Sequence, residues 1–154
     1  METNKKKLLA FLHSHNFVSV ATYNKRLWIC SVYYVADNNF NLYFLSEPTT
    51  EHSKDIMINN KVACAIADSR QKANSKKIGV QLNGIASLVS NIQKIKWMLN
   101  LWNKVNTGFE LIINLKNIKN KVIKSKIYKI TPKEIKFFNE ELYGPEGFEI
   151  FKFQ

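Results

Sequence analysis

Three short runs rich in Val, Ile, Thr and aromatic residues follow one another early in the chain, separated by turn signals too short to hold a helix. They are Phe17–Tyr23, Leu27–Val35 and Phe40–Ser46, with Asn24-Lys25 and Asp37-Asn38-Asn39 between them. β-Branched and ring side chains fit a pleated surface, and brief Asn/Asp links reverse the chain, so an antiparallel meander is predicted. In the middle run Trp28, Cys30, Val32 and Tyr34 share one face, while Leu27, Ile29, Ser31, Tyr33 and Val35 share the other. Both faces are largely apolar, which predicts a strand covered on both sides.

The remaining pattern adds strands and a few helices. Leu8, Leu9, Phe11 and Leu12 recur at helical spacing after Thr3 and Asn4, either of which suits a cap. Pro48 stops the third strand, Thr49 or Thr50 suits the next cap, and Glu51–Asn59 reads as a helix ended by Asn59-Asn60. Val62–Asp68 is a fourth strand with Cys64 and Ile66 on one face and the small Ala63, Ala65 and Ala67 on the other, where something is expected to approach closely. After a polar loop, Ile78–Val89 makes a fifth strand whose Gly84 marks a bend or bulge. Asn91–Asn103 carries Ile92, Ile95, Met98, Leu99 and Trp102 at helical spacing, a stripe expected to pack on the sheet rather than on a cofactor. Residues 105–124 show no clear period, and Phe109–Leu115 is compatible with a strand. Lys126–Ile130 is a further strand that Pro132 is expected to end, and Ile135–Phe138 continues extended towards a Gly144-Pro145 turn and the aromatic tail Phe148, Phe151 and Phe153. The expectation is one domain over 1–154, mainly β with flanking helices (α+β), closing as an antiparallel barrel.

Composition narrows the function classes. Apolar runs such as Leu27–Ala36 are too short to span a bilayer, and the basic Lys5-Lys6-Lys7 is followed by no leader-like segment. Two cysteines, Cys30 and Cys64, give neither a disulfide framework nor a zinc spacing, so a cytoplasmic protein is expected. The net charge of +11 raises nucleic-acid binding, with Trp28, Tyr33 or Tyr34 as stacking platforms. Against it, the only arginines are Arg26 and Arg70, and the lysines are spread from Lys5 to Lys152.

Chemistry-bearing residues are few. There is no glycine-rich nucleotide loop, no glycine-flanked serine, and no His/Cys set at metal spacing, so no metal site and no catalytic side chain is assigned. His13 and His15, two apart at a helix end, point different ways and suit the helix C-terminus better than a metal. Thr49-Thr50-Glu51-His52-Ser53-Lys54 joins a strand to a helix N-terminus, where free backbone N–H groups attract anions. Such a segment suits a phosphate monoester, and it equally suits a solvated cap.

Taken in order, the opening FLHSHNFVSVAT, the strand LWICSVYYV, the turn LSEPTTEHS and the strand IGVQLNG resemble the FMN-binding split-barrel superfamily, which includes pyridoxamine 5′-phosphate oxidase. They look most like its small bacterial YhbP-like group, and YKITPKEIKFF resembles the closing strand. The resemblance implies a six-stranded split barrel that forms a homodimer, with FMN in clefts between the subunits. It implies phosphate ligands at Thr50, His52, Ser53 and Lys54, a ring flanked by Ser31, Val32 and Tyr33, Leu45 and Ser46 near the ribityl chain or ring, and a polar contact from Gln81. It further implies an FMN-dependent oxidoreductase of unknown substrate, with haem or F420 as replacements known among related barrels. Two positions depart from the pattern. Glu51 stands where the YhbP-like turn carries arginine, and Cys30 and Val35 stand where pyridoxamine phosphate oxidases carry an arginine and a lysine. The second departure argues against the specific oxidase activity, and the first leaves open a non-catalytic dimer that has lost or changed its cofactor.

Overall fold

A single antiparallel ladder connects every strand of the chain and returns on itself. The structure, a computed structural model, describes residues 2–154. Its elements are α1 (Glu2–Ser14), β1 (Phe17–Asn24), β2 (Arg26–Ala36), β3 (Leu42–Ser46), α2 (Glu51–Ile58), β4 (Lys61–Ala67), β5 (Ile78–Leu88), α3 (Ile92–Val105), α4 (Leu115–Lys119), β6 (Lys126–Asn139), α5 (Glu140–Tyr143) and β7 (Phe148–Lys152). The strands lie in the order β3-β2-β1-β4-β5-β6-β7, and a β3–β6 pairing closes the first six into a barrel with β7 as an added edge.

Alternation along β1 sends Val18, Val20 and Thr22 inward, beside Cys64 and Ile66 of β4 and Val80 and Leu82 of β5. Leu8, Phe11 and Leu12 of α1 join the same core, where Tyr34 Oη donates to Leu12 O at 2.8 Å. Helix α2 is latched to β1 by Thr22 Oγ1, which donates to the buried Asp55 Oδ2 at 2.8 Å. A second apolar cluster forms where Met98, Leu99 and Trp102 of α3 pack against Val35, Tyr43 and Ile127, so the expected stripe does sit on the barrel wall.

Several expectations are corrected. Pro132 does not end a strand: β6 runs unbroken through it, opposite Gly84, where the ladder shifts register. A bulge tolerates the missing N–H of proline, and Gly84 is required because a Cβ there would lie 2.5 Å from Thr131 O. Phe40 does not begin β3. Asp37 Oδ1 accepts from the N–H groups of Asn39 and Asn41, a tight turn that holds Phe40 at φ 66° and delays the strand to Leu42. Phe109–Leu115 is not a strand but a series of turns leading into α4. The tail is not loose, since Phe148–Lys152 pairs with β6 as β7. Finally, β2 is not covered on both sides over its first half: Leu27, Ile29 and Tyr33 on one face and Trp28 on the other are exposed, and so are Ala63, Ala65 and Ala67 across the sheet.

Candidate functional site

Pairing register places the exposed residues in rows. Ser31 of β2 faces Ser19 of β1, Ser19 faces Ala65 of β4, and Ala65 faces Gln81 of β5. One row along, Ile29, Ala21, Ala63 and Asn83 align in the same way. The outer surface is therefore flat where the side chains are small. It is flanked by Leu27, Ile29, Tyr33, Phe17 and Tyr23, all exposed, with the rings of Phe17 and Tyr33 centred 5.1 Å apart.

At the β2 end of this surface lies a cleft of about 620 Å³, within the range of small-molecule sites. Ser31, Val32, Tyr33 and Leu45 form one wall. The opposite wall comes from the end of α3 and the turns after it, with Trp102, Val105, Asn106, Phe109 and Ile113. Trp102 lies in the last turn of α3 and Asn106 is its C-cap, whose N–H bonds back to Trp102 O, and both are at least nine-tenths buried. The indole Nε1 of Trp102 and the amide Nδ2 of Asn106 have no hydrogen-bond partner, whereas Asn106 Oδ1 accepts from Asn16 Nδ2 at 3.0 Å. Asn103 Oδ1, between them in the chain, is an unpaired acceptor, and unpaired buried polar atoms cost about 1–3 kcal/mol each.

The Thr-His turn folds into a separate cluster beside the cleft. Ser46 Oγ and His52 Nε2 are 2.6 Å apart, Thr50 Oγ1 is 3.2 Å from the same nitrogen, and Thr50 Oγ1 lies 2.8 Å from Ser53 Oγ. Burial holds His52 below its ordinary pKa, with Asp55 opposing the shift, so the imidazole is neutral in this network. Thr50 occupies the N-cap position, but its hydroxyl caps no helix N–H and donates instead to Glu47 O. The first N–H groups of α2 are thus left for another acceptor. Glu51 does not face that end alone. Arg26 Nη2 reaches its Oε2 at 3.0 Å and Lys54 Nζ its Oε1 at 3.6 Å, and Arg26 also lies over the ring of Trp28.

Of the residues singled out in the sequence, Ser31, Val32, Tyr33 and Leu45 meet in the cleft. Ser46, Thr50, His52 and Ser53 meet in the turn cluster, with Lys54 on its outer side. Gln81 joins neither: it lies three strands from Ser31, in a shallow polar recess with Lys77, Lys136 and Glu140. Tyr34 is fully buried and is no stacking platform. Sequence reasoning missed Arg26, whose partner is remote in the chain, and it assigned Trp102 to core alone. The i, i+4 pair Trp102/Asn106 at a helix end was the available signal. His13 and His15 lie outside the cleft, and His15 Nδ1 is 2.9 Å from Phe11 O at the close of α1. Among the described residues no group of metal-ligating side chains converges, and no helix is long and apolar enough to cross a membrane.

No protein-family model matches the sequence, and neither does any curated protein. Solved structures do match in fold. A putative pyridoxamine 5′-phosphate oxidase from Listeria innocua superposes with TM-score 0.68 at 18% identity, covering 88% of this chain and 98% of that one. A heme binding protein from Mycobacterium smegmatis gives 0.70 at 13% identity, over 94% of this chain and 56% of that one. The heme storage protein HutZ from Vibrio cholerae gives 0.62 at 13%, over 82% and 88%. The closed six-stranded ladder, its added strand and these superpositions together establish that the chain has the split-barrel fold of the pyridoxamine 5′-phosphate oxidase-like proteins.

Proposed function

We propose that the protein is a split-barrel flavoprotein that binds FMN and acts as an oxidoreductase. The observation that carries this reading is the convergence of Ser31, Val32, Tyr33 and Leu45 on one open cleft whose far wall leaves two donors unpaired. The residues present fit the group. Apolar Val32 and Leu45 suit a ring face, and the buried donors suit ring carbonyl oxygens. The uncapped start of α2, with Arg26 and Lys54 beside it, suits a phosphate. When bound, FMN supplies the hydride or electron transfer, and the barrel fixes its orientation and keeps water from one face.

A second copy completes the reading. The flat face around Ser19, Ala63 and Ala65 is suited to close approach by another sheet, and burying Leu27, Ile29 and Tyr33 supplies apolar area. In such a homodimer each cleft is bounded by the partner, which is also the one route by which Gln81 would reach a ligand. Haem is favoured less, because no histidine, cysteine or methionine lines the cleft and Tyr33 alone offers a known type of axial ligand.

The test is the visible absorption spectrum of the purified protein, before and after addition of FMN. Flavin bands that stay with the protein through gel filtration are expected. A Soret band would replace FMN by haem. A folded dimer that takes up no FMN at tens of micromolar would remove the flavin and leave the non-catalytic dimer.

A further inference from the structure

The chain's excess positive charge is concentrated in one segment. Residues 89–130, the excursion between β5 and β6, hold nine lysines against the single acid Glu110, and so carry eight of the chain's eleven net positive charges. Six of those lysines, Lys104, Lys116, Lys119, Lys121, Lys124 and Lys126, are exposed, and among the described residues none of them enters an ion pair. The carboxylate of Glu110 is turned back onto the N–H of Gly108, at 3.0 and 3.1 Å, and pairs with none of them.

The same segment sorts its apolar residues onto two sides. Ile113, Leu115 and Ile118 are partly buried against the α3 cluster. Leu111, Ile112 and Val122 face solvent instead, at 91, 57 and 69% exposure. Asn117 gathers these three: its Nδ2 donates to Leu111 O at 3.2 Å and to Ile112 O at 2.8 Å, and its carbonyl accepts from the N–H of Ile123, next to Val122, at 3.2 Å. Asn103 Nδ2 donates to Ile113 O at 3.0 Å and anchors the turn to α3. The result is a braced aliphatic tip set among unpaired lysines.

That combination selects between the two common polyanions. Aliphatic side chains held in water gain by entering an apolar phase, and long lysine stems let the ammonium stay at the level of phosphates while the apolar groups sit deeper. A nucleic acid is favoured less, because Leu111, Ile112 and Val122 offer no flat ring for a base to stack on and residues 89–130 contain no arginine.

We propose that the tip of the β5–β6 excursion docks on the surface of a bilayer containing anionic phospholipids, with Leu111, Ile112 and Val122 entering the headgroup boundary and Lys116, Lys119, Lys121 and Lys124 meeting lipid phosphates. The contact is peripheral, since among the described residues no helix is long and apolar enough to cross a membrane. Phe109 and Ile113 belong to the same turn and line the cleft, so the docked surface adjoins the cleft's far wall. The proposal is independent of which cofactor the cleft holds.

Flotation of the purified protein with vesicles of phosphatidylcholine, alone or with about one-third phosphatidylglycerol, tests it. The protein should float with the anionic vesicles and not with the neutral ones, and added salt should reduce the bound fraction. Leu111→Ser combined with Ile112→Ser keeps every charge and, at side chains so exposed, the fold, which a far-ultraviolet spectrum checks. It should weaken binding about tenfold, as removal of two apolar side chains from a lipid contact implies. Lys119→Gln combined with Lys121→Gln should weaken it about tenfold or more, since one lysine at an anionic lipid surface contributes about fivefold. No flotation with the anionic vesicles, or binding that the Leu111/Ile112 variant leaves unchanged, overturns the proposal. So does loss of a native dimer in that variant by sedimentation, which makes the tip a contact between copies. Tighter binding of a single-stranded oligonucleotide than of vesicles, unchanged in the same variant, overturns it as well and assigns the lysines to nucleic acid.

Discussion

Arg26 Nη2 donates to Glu51 Oε2 at 3.0 Å, tying the first residue of β2 to the first of α2. The acid at the head of α2, where the resemblance led to an arginine being expected, is therefore neutralised by an arginine from β2. Glu51→Gln frees Arg26 and Lys54 to face an anion at the helix start and is expected to tighten FMN about two- to fivefold, as roughly 0.5–1 kcal/mol near a helix N-terminus implies. Arg26→Ala should weaken it by a similar factor. Quenching of FMN fluorescence on titration reads both. Since the pair is half-exposed, the melting temperature should move little in either variant.

His52 gives the turn a pH signature. Its folded pKa lies below the ordinary value of 6.5, mainly through burial, so the unfolded chain binds the proton more readily. The stability it contributes is fully present above the unfolded value and is lost as the pH falls below about 6.5 towards the folded one. Melting temperature measured from pH 8 to 5 should decline in the native protein. His52→Gln should flatten that decline while lowering stability at pH 8 through the loss of the Ser46 contact.

Ala65 sits at the middle of the flat outer face, between Ser19 and Gln81. Ala65→Arg introduces a long charged side chain where no residue of the same chain is disturbed. Sedimentation equilibrium should show a dimer for the native protein and a monomer for the variant, with the far-ultraviolet spectrum unchanged. A variant that remains dimeric would move the interface elsewhere.

Tyr43 Oη donates to Asp37 Oδ2 at 2.9 Å, beneath the turn that Asp37 also organises through Asn39 and Asn41. Tyr43→Phe leaves the packing and removes a donor from a buried carboxylate, which should cost about 1–3 kcal/mol in chemical denaturation. The cleft, walled by other residues, should keep its ligand affinity.

Most of the barrel was legible because alternation and turn chemistry are local. The runs at Phe17, Leu27, Val62 and Ile78 became strands within a residue or two of their expected bounds, and Gly84 became a bulge. Two of the misreadings share a cause: the deciding contact is remote. Pro132 is harmless only because Gly84 stands across the ladder, and β7 exists only because β6 offers an edge. The site divided in the same way. Ser31, Val32 and Tyr33 are consecutive, and their exposure follows from their strand, whereas the partnership of Arg26 with Glu51 and the position of Trp102 on a cleft wall required the folded chain.

The excursion between β5 and β6 leaves the ladder and rejoins it at nearly the same point, since Leu88 pairs with Tyr128 and the N–H of Val89 bonds to Ile127 O at 2.9 Å. Its two ends are stapled side by side on a barrel whose closure depends on β3 and β6 rather than on anything the excursion contains. A segment attached in this manner is free to diverge in length, charge and ring content under selection while the scaffold beneath it stays fixed. A graft of residues 90–125 onto another barrel of the same topology should therefore carry ligand preference with it and leave the recipient's fold intact.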